Sequence, residues 1–151
     1  MPTSHPQKPE LRQAVDGFWE VIPPLWRSIQ AHIRQAAIER YQIREEQFHL
    51  LRHIRRGYNS VSLLAQTRGI SRPAVSQSVD LLVRRGLVVR TVDEHDRRHI
   101  RLDLSQSGSD LMESLLEDTR LWLMGRFASL PPRKLQELTS TFESLRHLSK
   151  E

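Results

Sequence analysis

The sequence predicts an all-α fold that carries one small two-stranded β-hairpin. Apolar residues recur at spacings of three and four over most of the chain, which is the period of an amphipathic helix. After Gly86 the period changes to two, and Ile100, Leu102 and Leu104 alternate with polar residues as in a half-buried strand. The segment from Leu87 to Val92 is predicted to be the antiparallel partner of that strand.

The first predicted helix runs from about Glu10 to Ile38. The pair Pro23 and Pro24 should kink or break it, because proline lacks an amide hydrogen and clashes with the preceding turn. Residues 1–9 are polar and contain proline, so we expect a disordered arm there. One face of the helix carries Phe18, Ile22, Leu25, Ile29, Ile33 and Ala36.

Three shorter helices are predicted in the middle of the chain. They cover about residues 43–57, 60–67 and 71–85. In the second of these helices, Leu63 and Leu64 are expected to point inward. In the third, Ser71 is a suitable N-cap, Pro73 is tolerated in the first turn, and Gly86 ends the helix.

Two helices follow the hairpin, the first capped by Ser105 and the second opened by Pro131 and Pro132. Both carry large apolar residues, as the first helix of the chain does. These are too many for a chain of 151 residues to bury alone, so we expect a homodimer. Residues 10–42 and 105–151 are the predicted dimerisation regions.

Positive charge is concentrated in the middle of the chain. Residues 44–101 contain 12 arginines and 6 acidic residues, whereas the remainder contains 11 basic and 12 acidic residues. A basic segment between neutral flanks is typical of a polyanion-binding domain. A bias of the genome toward arginine codons explains the abundance of arginine equally well.

The order helix, short helix, turn, helix and hairpin over residues 43–104 is that of a winged helix-turn-helix. In its third helix Val75, Val79 and Leu82 are expected to face the core. The opposite side, at the N-terminal end, is where a recognition helix contacts bases, and glutamine and arginine pair there with adenine and guanine. The candidate DNA-binding residues on this helix are Ser71, Arg72, Pro73, Ser76 and Gln77.

An ordered series of short segments lies between residues 43 and 108: Gln47-Phe48-His49-Leu50-Leu51, Leu64-Ala65, Ile70-Ser71, Val75-Ser76, Val79-Asp80-Leu81-Leu82, Gly86-Leu87-Val88, Asp96-Arg97-Arg98 and Leu104-Ser105-Gln106-Ser107-Gly108. Together they resemble the MarR family of bacterial transcriptional regulators. The resemblance implies a dimer with one recognition helix in each of two successive major grooves. It also implies that a wing arginine enters the minor groove, with Asp96 orienting Arg98, and we add His95 and Arg97 as wing contacts. The acid Asp80 is expected to hold a basic partner near the wing.

The predicted function is that of a sequence-specific transcriptional regulator, a repressor that binds a palindromic operator in double-stranded DNA. A small aromatic or lipophilic effector is expected to release the operator. The effector pocket is predicted to be lined by Trp26, Ile29, Phe48, His53 and Trp122, although buried aromatic residues more often belong to a core or an interface.

Two alternatives stay open. His49 and His53 have the i,i+4 spacing of zinc ligands, which would suit a metal-responsive regulator. No cysteine is available and no acid is obviously placed to complete the coordination shell of a metal ion, so we predict no metal and no cofactor.

The second alternative is a winged-helix protein-interaction module that does not bind DNA. The concentrated positive charge argues against it.

The composition excludes several other classes. The absence of cysteine excludes disulfides, thiolate metal sites and thiol redox sensing. We find no nucleophile-and-base arrangement and no phosphate-binding glycine loop, so an enzyme is not expected. No apolar stretch approaches the roughly 18–20 residues of a membrane span, and no signal sequence is recognisable, which predicts a cytoplasmic protein without membrane contact.

Overall fold

The computed structural model describes residues 8–92 and 100–149. The helices are α1 (Pro9–Tyr41), α2 (Glu45–Arg55), α3 (Val61–Arg68), α4 (Arg72–Arg84), α5 (Gln106–Phe127) and α6 (Pro132–Leu145), and the strands are β1 (Val88–Val92) and β2 (Ile100–Leu104). A short 3-10 helix, Arg146–Ser149, follows α6. The predicted class, all-α with one β-hairpin in a winged helix-turn-helix, is confirmed.

Helix α1 is one continuous helix of 33 residues that runs through Pro23 and Pro24. Of the two outcomes expected at these prolines, a kink or a break, a break does not occur. Each proline removes only its own amide donor, and the helical turns on both sides continue. Gln42 follows the last residue of the helix and caps it. It has a left-handed φ of 53°, and its N–H bonds to the carbonyl groups of Ala37 and Ile38.

The chain divides into two compact units, residues 1–115 and 116–151. The main hydrophobic core lies in the first unit, where α2 packs against α1, α4 and β2, and α3 packs against α4. As predicted, Val75, Val79 and Leu82 of α4 are completely buried. On α2, Phe48, Leu51 and Ile54 are buried on one face.

Helix α3 corrects one expectation. Leu64 is completely buried, but the adjacent Leu63 is 37% exposed. Successive residues of an α-helix point about 100° apart, so Leu63 points away from the side of α3 that buries Leu64 and Ala65. Leu63 therefore belongs to the outer surface of the helix-turn-helix.

The hairpin pairs β1 and β2 in antiparallel register, from Val88 opposite Leu104 to Val92 opposite Ile100. Its base is anchored to the core, because Leu102 is buried and donates its N–H to the Asn59 carbonyl over 2.8 Å. Ile100 is 56% exposed. The alternation of buried and exposed side chains that was expected for β2 is therefore limited to the part of the strand near the core.

The start of α5 lies directly against the turn that follows α4. The Ser105 hydroxyl accepts the Gly108 N–H over 3.0 Å, which confirms the predicted cap, and donates to the Gly86 carbonyl. Gly108 is buried against the backbone of Leu87, and a Cβ atom there would overlap the Leu87 carbonyl oxygen. This close approach requires glycine.

In the second unit, α6 buries none of its residues. Leu135 and Leu138 are half-buried, whereas Phe142 is 48% and Leu145 38% exposed. Within the described residues, no helix is both long enough and apolar enough to cross a membrane.

Candidate nucleic-acid interface

The N-terminal end of α4 projects from the first unit. Ser71 caps the helix, its hydroxyl accepting the Ala74 N–H over 3.4 Å, and a proline occupies the first turn. Ser71, Arg72, Pro73 and Gln77 are exposed, whereas Ser76 is half-buried. With one helix face fixed in the core, four of the five predicted side chains on α4 are accessible to a ligand of the size of DNA.

A shallow surface groove of about 660 Å³ lies between α3 and the start of α4. Apart from Arg72, the polar residues of this groove were not predicted as site residues from the sequence, although the helical period indicates which residues of α3 face outward. Hydroxyl, amide and guanidinium groups lie along this groove, which suits contact with a phosphate backbone. The groove is lined by Ser60, Ser62, Leu63, Ala65, Gln66, Gly69, Ile70 and Arg72.

An ion pair joins the candidate recognition helix to the hairpin. Asp80 of α4 lies 2.7 Å from the Arg90 guanidinium of β1. The predicted structural role of this acid, holding a basic partner near the wing, is confirmed. Because both side chains are partly exposed, the pair contributes little to stability, but it couples the orientation of helix and strand.

The predicted wing contacts lie outside the described residues. This applies to His95, Asp96, Arg97 and Arg98, and thus to the proposed orienting pair of Asp96 and Arg98. The base of the hairpin is described: Arg101 forms an ion pair with Asp103 at 3.1 Å. The wing assignment stays a prediction.

The two histidines of α2 each have a polar partner on the same helix. The Nδ1–H of His53 donates to the His49 carbonyl over 2.7 Å, and Nε2 of His49 lies 3.6 Å from a Glu45 carboxylate oxygen. Across residues 8–92 and 100–149, no group of three His, Cys, Asp or Glu side chains could hold a metal ion.

His49 instead lies in a partly buried, positively charged environment. Burial lowers the pKa of His49 below its ordinary value, and the nearby Arg68 and Arg52 lower it further. Glu45 opposes this shift through its hydrogen bond and its charge. The imidazole is therefore held in its neutral form at neutral pH.

Acidification is expected to reduce the free energy of unfolding through His49. As the pH falls through about 6.5, the unfolded chain takes up a proton at this position before the folded protein does. Stability is lost below that pH and levels off once the folded protein is also protonated. His49→Gln should flatten this part of the profile in urea unfolding measured between pH 5 and 8. Equal slopes for His49→Gln and wild type would contradict the assignment.

The five candidate effector-pocket residues differ in exposure. Phe48 is part of the core and Trp26 is 58% exposed, while Ile29 and His53 are half-buried, with His53 packed edge-on against Tyr58. Trp122 belongs to the second unit, where the Arg126 guanidinium lies 4.8 Å from its ring centroid. Three surface grooves, all formed by residues between 9 and 74, are lined by other side chains.

Comparison with known proteins supports the winged helix-turn-helix fold. A model described as "MarR family" matches residues 41–99. The transcriptional regulator Tm0710 from Thermotoga maritima has a similar structure, with a TM-score of 0.80 at 20% identity over 90% of this chain and 99% of that chain. A MarR transcriptional regulator from Methanosarcina mazei Go1 is 28% identical over 87% of this chain and 95% of its own, with a TM-score of 0.54.

A structure of a mutant of MepR from S. aureus, bound to an oligodeoxyribonucleotide, is also similar, with a TM-score of 0.66 at 19% identity over 86% of this chain and 96% of that chain. Proteins of this family are transcriptional regulators and not enzymes. Residues 41–99 are therefore similar to the MarR family, and the chain has the fold of the transcriptional regulators that it resembles.

Proposed function

We propose that this protein is a homodimeric, sequence-specific regulator that represses transcription by binding a palindromic operator. The observation that carries this proposal is the exposed N-terminal end of α4, where Arg72, Pro73 and Gln77 project from a helix whose other face is locked in the core. A rigid helix that presents a guanidinium and an amide at one end is suited to reading base edges in a major groove.

The two parts of the interface have different tasks. Residues of α4 read the major groove: Ser71, Arg72, Pro73, Ser76 and Gln77. The wing residues His95, Arg97 and Arg98 contact the flanking backbone and minor groove, with Asp96 orienting Arg98. The MepR mutant bound to an oligodeoxyribonucleotide supports the use of this fold on DNA.

The dimer is supported by apolar side chains that the single chain leaves exposed. On α1 these include Phe18, Trp19 and Trp26, each at least 45% exposed, and on α6 Phe142 is 48% exposed. Exposed apolar surface of this extent marks an interaction site. A second copy covers it, in an obligate interface of more than about 2,000 Å² in total.

The proposed control by an effector follows from the geometry of a palindromic site. Two recognition helices must lie about 34 Å apart to enter successive major grooves. A small aromatic or lipophilic molecule that binds better to a dimer with another spacing shifts the population to that form and releases the operator.

Two substitutions test the interface, with a palindromic duplex that wild-type protein enriches from random DNA. Arg98→Ala should weaken binding by about 1–3 kcal/mol per half-site, mostly on A·T-rich flanks, because a cation leaves the minor groove. It should also make the dependence of affinity on salt shallower. Gln77→Ala removes a base-reading group without changing the charge. It should relax discrimination at particular positions and leave the salt dependence unchanged.

The measurement is binding at several salt concentrations to the enriched duplex and to scrambled DNA. Glu113→Ala, an exposed change on α5, is the control and should bind like wild type. If wild-type protein enriches no duplex, the proposed function is wrong. If Arg98→Ala binds like wild type at every salt concentration, the wing assignment alone is wrong.

A further inference from the structure

Arg85 joins the end of the candidate recognition helix to the end of α1. It is the first residue after α4, and its guanidinium donates two hydrogen bonds, from Nη1 to the Gln42 carbonyl and from Nη2 to the Tyr41 carbonyl. Both donor–acceptor distances are 2.8 Å. Gln42 and Tyr41 precede Arg85 by 43 and 44 positions in the sequence.

The two carbonyl groups are suitable acceptors for a guanidinium. The last carbonyls of a helix have no partner within the helix, and the aligned peptide dipoles make that end negative. Gln42 turns the backbone into the left-handed region there, with φ of 53°. Arginine presents two parallel N–H groups in a rigid plane, whereas the ammonium group of lysine has no such fork.

This contact is a direct connection between two helices that both pack against a third. Helices α1 and α4 each pack against α2, and they are not among the pairs of described elements that pack extensively together. The other ion pair of α4, Asp80 with Arg90, connects it to the hairpin and not to α1. The fork of Arg85 therefore fixes the C-terminal end of α4 relative to α1.

We infer that Arg85 is a positioning residue that sets the angle of α4 on α1, and thereby the separation of the two recognition helices in the dimer. The inference rests on the proposed function, in which α1 forms part of the dimer interface and α4 enters the major groove. A dimer without this connection keeps its DNA-contacting side chains but holds them with a less defined spacing. Its affinity should then depend less on the distance between half-sites.

A direct contact between Arg85 and phosphate is the competing explanation. Arg85 lies at the opposite end of α4 from Arg72, and a helix of 13 residues is about 20 Å long. Its Nη1 and Nη2 groups are already hydrogen-bonded to carbonyl oxygens. The two roles differ in what they change: a phosphate contact affects the salt dependence of binding, whereas a positioning contact affects the preference for half-site spacing.

The test measures binding to a palindromic duplex enriched by wild-type protein and to the same duplex with one base pair inserted between the half-sites. Wild-type protein should strongly prefer the original spacing. In Arg85→Ala this preference should fall about tenfold, while the salt dependence is unchanged. Arg85→Lys should lose the preference in the same way, because it keeps the charge but not the fork. Arg84→Ala, at the adjacent and also exposed position, is the control for loss of charge and should keep the preference.

Each outcome decides the inference. Retention of the wild-type spacing preference in both Arg85 variants overturns it. A shallower salt dependence in Arg85→Ala that Arg85→Lys restores also overturns it, and assigns Arg85 to phosphate. Thermal unfolding checks that each variant is folded, and Arg85→Lys decides the question if the alanine variant does not fold. Failure of wild-type protein to enrich any palindrome removes the proposed function itself and the inference with it.

Discussion

Replacement of Gly108 by alanine is expected to lower the free energy of unfolding by about 3 kcal/mol, at the upper end of the cost of overpacking a core. The added Cβ would overlap the carbonyl oxygen of Leu87, which is backbone and cannot move like the end of a flexible side chain. That carbonyl also accepts the Ser105 N–H over 3.1 Å. Relief of the overlap must displace either the start of α5 or the turn between α4 and β1.

Gly125→Ala, in the same helix, is the matched control. A Cβ at Gly125 would have no neighbour within 4 Å, so alanine there should stabilise the protein by about 0.4–1 kcal/mol through its lower unfolded-state entropy. Thermal and urea unfolding of the two variants should therefore shift in opposite directions. Equal stability of Gly108→Ala and wild type would show that the two segments do not approach as closely as described.

The second large effect is expected from charges placed on the apolar face of α6. The double substitution Phe142→Glu with Leu145→Glu should convert the proposed dimer to a monomer, because two carboxylates cannot be buried without partners. Loss of the dimer should weaken operator binding by at least about 100-fold, since the two half-sites would no longer be held by one linked molecule. Sedimentation equilibrium and DNA-binding titration measure the two consequences.

The control places two glutamates elsewhere on the same helix, as Ser140→Glu with Ser144→Glu. These exposed serines are one helical turn apart on the face opposite Phe142 and Leu145, so net charge and helix are matched while the apolar face stays intact. This variant should remain dimeric and bind DNA. A wild-type protein that sediments as a monomer, or a Phe142 and Leu145 variant that remains a dimer with unchanged affinity, would contradict the proposed interface.

Local features of the fold were predictable because their causes lie within a few residues. Ser60, Ser71 and Ser105 each precede a helix, and each hydroxyl accepts the N–H of the third residue that follows. The buried face of α4 follows from its helical period. The exposed face of the same helix follows as well, which is why the candidate base-reading residues could be named from the sequence.

Features that depend on long-range contacts were not predictable in this way. The pairing of Arg85 with the end of α1 joins residues more than 40 positions apart, and nothing in the local pattern distinguishes Arg85 from Arg84. The sequence predicted a kink or a break of α1 at Pro23 and Pro24, and a local rule for proline could not decide between them because it ignores the length of helix on either side. Asp80 was an exception, because the family resemblance supplied its structural role.

The lack of any buried residue in α6 has a thermodynamic consequence. An isolated helix of 14 residues is marginally stable in water, so its folding must draw on contacts outside itself. When a second copy supplies those contacts, the ordering of this helix obeys mass action, and dilution favours its melting. In the proposed dimer, an operator that holds two copies together then acts as a folding ligand for a segment outside the predicted DNA contacts. Occupancy of the operator would therefore protect the amides of α6 from hydrogen exchange at protein concentrations where the free chain exchanges them.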